Sequence, residues 1–511
     1  MTATRFRDNR WLHRALIVAI AVIAYAPSLL GYFISDDFHL VLILDSERRA
    51  VDWPNVLSDF YTVWRHDPTH SYYRPMITLS GAIDFTIWGP NPFGFHLTNL
   101  ALHAANGLLV YGLANAALAS HGGLPGLTAA LLFVLYPLQP DRIYRIIGRG
   151  DTLATLFALS ALLLFFHATR SGRGVTRTCS LLAFALALAT KETTVTVPFA
   201  VALGLAAGAA ARPSGTRREL RREIAWLLPY ALLLGAYFLF RKAITGHVAG
   251  QYGASGLDVL TFAAFPIGLL KFLAYQMHPV GWPLTDPGGN VLFASWQTRG
   301  IAGLGWTTSV TIAALILMGR RERRAWMWLA MMLVLAAPLL SLHAAARSPY
   351  EYAKLHYLPS APFCIALVLF LEGSRPRFRR WLGGVIFFAY SALLVVNSLP
   401  WIYAGQITQA VVRQIERAAN RPGIRTVFVD GDPQGYLTAE LFGRDSWALA
   451  VAAGAPYASI PNGVTIVNLA SDGGRQALEA ARRAAAPFVI LRYDPSRRSL
   501  EEVAGSDPSP R

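Results

Sequence analysis

The chain has 511 residues, 54% of them hydrophobic and only 15% charged, with a mean hydropathy of +0.38; this excludes an ordinary soluble domain and describes a polytopic membrane protein. The formal net charge of +16 could suggest nucleic acid, but the arginines cluster between hydrophobic runs with no basic-aromatic module beside them, so membrane topology accounts for the charge and nucleic acid is not expected as a partner. Cys179 and Cys364 lie in or beside hydrophobic runs, far apart and without CxxC or Cys/His spacing, and read as small buried hydrophobes.

Residues 1–14 carry Arg5, Arg7, Arg10 and Arg14, and the excess of positive charge on cytoplasmic segments places them in the cytoplasm. An apolar run over 15–33 follows. It is longer than a signal-peptide core, lacks a small-residue cleavage site, and at about 1.5 Å per residue is long enough for a bilayer core of roughly 30 Å, so it is read as the first membrane helix. Further apolar runs at 93–118, 124–138, 152–168, 179–190, 193–211, 224–240, 301–318, 325–342, 357–371 and 381–399 bring the expected total to about eleven helices. Alternation then puts Arg170/Arg173/Arg177, Arg212/Arg217/Arg218/Arg221/Arg222, Arg320/Arg321/Arg323/Arg324 and Arg375/Arg377/Arg379/Arg380 on the same face as the N-terminus, as the positive-inside rule requires.

The opposite face is the elaborate one, with long loops at 34–92 and 242–300 and short turns at 139–151 and 343–356. Within the first loop Trp53, Val56, Leu57, Phe60, Tyr61 and Trp64 recur at helical spacing and suggest an amphipathic helix in the interface. From 401 to 511 the composition changes: a polar helix over 406–420 precedes short apolar strands at 426–430, 464–468 and 488–491, an alternation that reads as a small α/β extramembrane domain on the outer face.

The chemistry-bearing residues gather on that face. Asp36 and Asp37 sit just beyond the first span, where carboxylates are costly to hold near lipid and tend to mark a site; the pair offers a general base, one acid raised by its neighbour. The plainer alternative is a helix cap. His96, Asn99 and His103 share a helix face, with His103 read as a packing residue and His96 and Asn99 as lining a site. Arg142, Arg145 and Arg149 stand on the side where topology disfavours arginine, and Arg74, Lys191 and Lys354 join them; a guanidinium fork suits phosphate oxygens, the alternative being pairing with Asp141, Asp151 and Glu192. No HExxH or other ligand spacing argues for a metal, so no cofactor is certain and a divalent cation, though possible, is not indicated. Carboxylates and phosphate-binding cations at membrane level, with cytoplasmic loops too short to hold a nucleotide domain, point to group transfer from a lipid phosphate.

The Asp36-Asp37 pair, Tyr73-Arg74-Pro75, Asn91-Pro-Phe-Gly-Phe-His96 with Asn99 and His103, Gly148-Arg-Gly-Asp151, Lys191-Glu192 and Tyr357-Leu-Pro-Ser360 resemble the GT-C superfamily of integral-membrane glycosyltransferases, and most of all the transmembrane and TPR-containing O-mannosyltransferases, over about residues 15–400. The resemblance implies a GT-C-like transmembrane domain over 15–400, a polyprenyl-phosphate sugar donor, inversion at the anomeric carbon and a catalytic aspartate at Asp36, with Asp37 beside it. Arg74, Arg145, Arg149, Lys191 and Lys354 are then expected around the donor phosphate, and Tyr73, His96, Asn99, Asp151, Glu192, His356 and Tyr357 along the site wall. The chain departs from the family where Ala353-Lys354 stands for Glu-Arg, and where an α/β domain stands in place of a TPR tail, which leaves a lipid, glycan or protein acceptor open. Arginine-rich, lysine-poor composition suits a bacterial inner membrane with a periplasmic active face. A flippase for a lipid-linked glycan is the competing reading, disfavoured because no internal repeat appears and the polar residues gather on one face; a receptor working through the C-terminal domain would leave both charge clusters unexplained.

Overall fold

The computed structural model describes residues 9–66, 72–117, 123–210, 224–248, 264–277, 279, 322–340, 342, 353–431, 435–436, 439–442, 447–471 and 473–505. The expected helix at 301–318, the arginines at 212–222 and most of the loop 242–300 lie outside them. The first span is α1 (Arg10–Tyr25), capped by the Asn9 side chain and prolonged by a 3-10 turn over Ala26–Leu30. After a short α2 (Trp53–Ser58) come α3 (Pro75–Trp88), α4 (Pro92–Ala117), α5 (Gly123–Val134), α6 (Pro140–Tyr144), α7 (Arg149–Ser171), α8 (Gly174–Thr190), α9 (Val197–Ala210), α10 (Leu228–Thr245), α11 (Ala264–Met277), α12 (Arg323–Ala336), α13 (Tyr357–Glu372) and α14 (Pro376–Ala419). Five stretches among the described residues are long and apolar enough to cross a membrane: Arg10–Leu30, Pro92–Ala117, Ile146–Ser171, Ala353–Glu372 and Pro376–Ala419, with shorter apolar helices between them.

Three features differ from the sequence reading. Helix α3 was expected to be loop; Pro75 presets its first turn and Gly89, at φ +58°, ends it, while Asp84, which interrupts its apolar pattern, is paired inside the fold with Arg149 and Thr98. The amphipathic helix expected from Trp53 stops at Ser58. Asp59 accepts from the Arg65 amide at 2.8 Å and from Thr78 Oγ1 at 2.6 Å, which turns the chain inward and donates the Trp64 indole N–H to Thr78. The third difference is that the last span and the polar helix after it are one 44-residue helix, α14, carrying Pro400 in its interior. It continues across the boundary expected at 400/401 and packs its small residues where the chain leaves α1: a methyl group at Gly405 would stand 3.1 Å from the Tyr32 nitrogen.

The C-terminal sheet has the order β4-β1-β5-β6, formed by β1 (Thr426–Asp430), β4 (Thr465–Asn468), β5 (Phe488–Asp494) and β6 (Ser499–Gly505), with β2 (Gly435–Tyr436) and β3 (Ala439–Glu440) as a separate antiparallel pair. β1 lies parallel between β4 and β5, and β6 closes the edge antiparallel to β5. Alternation sets its two faces: Phe428, Phe488 and Ile490 pack under the helix Gly474–Arg483, whereas Val427, Val429, Val489 and Leu491 join the main apolar core with α14 and the helix Trp447–Ala452. The structure is thus a helical membrane bundle with a small α/β cap.

Candidate active site

The first span delivers the acidic turn. Gly31 is needed because a Cβ there would stand 2.8 Å from both His96 Nε2 and the Ser28 carbonyl, and the chain then enters a 3-10 helix over Ser35–Ile43. The two aspartates face opposite ways. Asp37 is fully buried and accepts from the Ile34 amide at 3.1 Å and the Ile147 amide at 2.8 Å. Burial raises its carboxyl to about 6, against the opposing pull of the Ile147 amide and the Arg145 charge. Asp36 keeps 57% of its side chain exposed and pairs with Arg145 at 2.9 Å. Partial burial pushes its carboxyl up, but Arg145, His39, Lys354 and Arg65 outweigh it and hold the group below the ordinary carboxylate range.

The arginine turn comes from α6, the 3-10 turn Ile146–Gly148 and the start of α7. Its tightness depends on Gly148, since any Cβ there would collide with the Arg142 carbonyl, and Asn99 fastens it by donating to the Arg145 carbonyl at 2.8 Å. The break between α8 and α9 supplies Lys191 and Glu192. A chain of alternating charge results. Lys191 Nζ lies 2.6 Å from Asp151, Arg142 bridges Asp151 at 2.8 Å and Asp141 at 2.5 Å, and Arg145 spans Asp141 at 3.7 Å and Asp36 at 2.9 Å. Arg74 makes a two-pronged pair with Glu192 and lies over the Tyr72 ring at 3.9 Å.

These groups surround a cleft of about 100 Å³ lined, among the described residues, by Asp36, Trp64, Arg74, Ile77, Arg142, Arg145, Ile147, Gly150, Asp151, Lys191, Glu192, Thr193, Leu342, Lys354 and Leu355. Five cations thus face three carboxylates. A larger, shallower hollow between Arg48, Arg49 and the loop Ala455–Ile460 has no such chemistry.

Of the residues expected from sequence, Asp36, Arg74, Arg145, Asp151, Lys191, Glu192 and Lys354 come together at the cleft. The others stand behind it. Arg149, expected beside the phosphate, is only 1% exposed; it pairs with Asp84 at 2.6 Å and donates to the Ser80, Phe95 and Ile146 carbonyls, because helix α3 brings a carboxylate to it. Tyr73 donates to the Phe60 carbonyl, and His96 packs against Gly31. Tyr357 bonds to His103 at 2.7 Å, and His356 stacks on Phe272 and meets Gln276 at 2.8 Å. Arg142, read with Arg145 as a phosphate-binding arginine, also lines the cleft, as does Trp64, which the sequence placed only on an amphipathic helix. Among the described residues, no three His, Cys, Asp or Glu side chains are gathered as a metal ion would need.

Protein O-mannosyl-transferase TMTC1 of Mus musculus is 31% identical over 161 residues, 31% of this chain and 17% of that protein. TMTC2 of Xenopus laevis is 30% identical over 167 residues, covering 32% of this chain and 20% of its own length. The chain is thus similar to named O-mannosyl-transferases over about a third of its length. The matched stretch spans about a fifth of these relatives, and no family model matches the chain. Among solved structures, the oligosaccharyltransferase of Archaeoglobus fulgidus in its apo form aligns with a TM-score of 0.47 at 13% identity, over 94% of this chain and 70% of that one. ArnT of Cupriavidus metallidurans bound to undecaprenyl phosphate gives 0.43 at 14%, over 94% and 93%.

Proposed function

We propose that this protein is an inverting glycosyltransferase that moves a sugar from a polyprenyl-phosphate donor to an acceptor hydroxyl, with Asp36 as general base. The observation that carries the proposal is the cleft itself: a chain of alternating charges with cations in excess, ending on the one exposed carboxylate of the acidic pair. The similar relatives are named protein O-mannosyl-transferases, so mannose is the sugar to try first.

The acceptor oxygen attacks the anomeric carbon and gives its proton to Asp36; the carbon–oxygen bond to phosphate breaks, and polyprenyl phosphate leaves with the bonding pair. Arg74, Lys191, Lys354 and Arg145, gathered around the cleft, would stabilise that charge. Arg145 has a second task. It holds Asp36 ionised before a donor binds, and a donor phosphate competing for the same guanidinium weakens that pair, freeing the carboxylate to accept from the acceptor hydroxyl. The working face lies opposite the N-terminus, which for a bacterial inner membrane is the periplasm; the Arg-rich segments at 170–177 and 375–380 support that orientation.

The test is transfer of label from radiolabelled polyprenyl-phosphate mannose in membranes. Label should reach an envelope acceptor with the wild-type chain and fall about 10²- to 10⁴-fold with Asp36→Asn, the usual worth of a general base. Label that instead changes leaflet while still attached to lipid would replace the enzyme with a flippase.

A further inference from the structure

Ser35, immediately before the acidic pair, has a φ of 50°, in the left-handed region that a residue with a Cβ occupies only when its surroundings hold it there. What holds it comes from the far end of the chain. Its N–H donates to the Leu441 carbonyl at 2.6 Å, and its hydroxyl donates to Glu440 Oε2 at 2.8 Å, across 405 positions. The same Glu440 oxygen lies 3.9 Å from Arg145 Nη2, the nitrogen that binds Asp36. One carboxylate of the C-terminal cap therefore touches both the residue preceding Asp36 and its cationic partner. Aromatic rings close the joint: Phe442 stacks on Phe38 at 5.9 Å and 12°, and Tyr457 meets Phe33 at 4.9 Å and Phe38 at 5.0 Å. Glu440 keeps 51% of its side chain exposed, so the cap's own packing does not account for a carboxylate here.

We infer that Glu440 is a positioning residue for Asp36: the β2–β3 pair of the C-terminal cap completes the active site by fixing the Ser35 turn and sharing Arg145. The inference rests on Asp36 being the working carboxylate. Its mechanical half, the clamp, is independent of that.

The experiment uses the full-length protein and variants Glu440→Ala, Glu440→Gln and Glu440→Asp, with Ser35→Ala removing the same hydrogen bond from its other end. Two quantities are read: hydrogen exchange of the segment 32–38, and transfer from radiolabelled polyprenyl-phosphate mannose resolved into kcat and donor KM. Glu440→Ala should speed exchange in that segment by about tenfold or more while the membrane helices keep their protection. It should lower kcat about 10- to 100-fold, the worth of one hydrogen bond to a charged acceptor, with donor KM within about twofold. Glu440→Asp should restore part of kcat. Glu440→Gln, which keeps an acceptor oxygen for Ser35, should retain protection and lose rate only through Arg145. Unchanged exchange and unchanged kcat in both Glu440→Ala and Ser35→Ala would overturn the proposal, as would loss of protection spread through the whole cap or a rise in donor KM in place of the fall in kcat. If the wild-type chain moves no label, the glycosyl-transfer reading fails by itself; faster exchange confined to 32–38 still establishes the clamp.

Discussion

Replacing Asp36 by Asn and Asp37 by Ala should separate catalysis from folding at two adjacent positions. Asp36 is more than half exposed and, among the described residues, its ion pair is with Arg145 at 2.9 Å, so Asp36→Asn removes a partly solvated pair worth at most about 1 kcal/mol of stability. If Asp36 is the base, kcat falls about 10²- to 10⁴-fold all the same. Asp37 has the opposite profile. It is fully buried, and removing its carboxylate leaves the Ile34 and Ile147 amides without an acceptor in the interior, at about 1–3 kcal/mol each. A loss of that size should lower the melting temperature of the detergent-purified protein by several degrees, while the folded fraction retains transfer at low temperature. The assay pairs a thermal-unfolding curve with label transfer per mole of folded protein. Full transfer by Asp36→Asn would refute the assignment, and so would an Asp37→Ala chain that melts normally and transfers nothing.

Three further outcomes follow from the same geometry. Burial raises Asp37 to about 6, above its unfolded value near 3.8, so its contribution to stability is fully present below the unfolded value and is lost as pH rises through about 6; Asp37→Asn should flatten that part of a stability-versus-pH curve. Arg149→Ala should strand the buried Asp84 carboxylate and cost about 3–5 kcal/mol of stability, seen as early melting or failure to accumulate, with donor KM unchanged in whatever folds. Lys354→Gln, at the cleft wall, should raise donor KM by about tenfold, the worth of one charge-assisted phosphate contact, with little change in melting.

Five membrane-length helices among the described residues were legible because transfer from water to lipid depends on composition summed over a long window, although the expected total of about eleven spans is not reproduced there; the strands at 426–430, 464–468 and 488–491 were legible because short apolar runs between turn residues are characteristic of parallel strands. Helix α3 was not, since Asp84 argues against burial until its partner Arg149, 65 positions later, is known to reach it. The cleft residues could be named because arginine on the face expected to lie opposite the arginine-rich loops needs a reason. Which of them face the cavity could not: Asp36 and Asp37 are adjacent and alike in sequence, and the fold, by bringing the Ile34 and Ile147 amides onto Asp37, decides which is sequestered. Glu440 carried no signal at all, as its role depends on a contact between the two ends of the chain.

Helix α14 also acts as a ruler. At about 1.5 Å per residue its 44 residues measure roughly 66 Å, twice the hydrocarbon core of a bilayer. The height and facing of the cap above the lipid are therefore fixed by helical register. A single residue added below the cap would turn it by about 100° and lift it by about 1.5 Å, while two full turns, about seven residues, would restore its facing at a height about 10 Å too great. The length of this helix is thus under the same constraint as the residues of the site, although the residues along it that face lipid are free to vary.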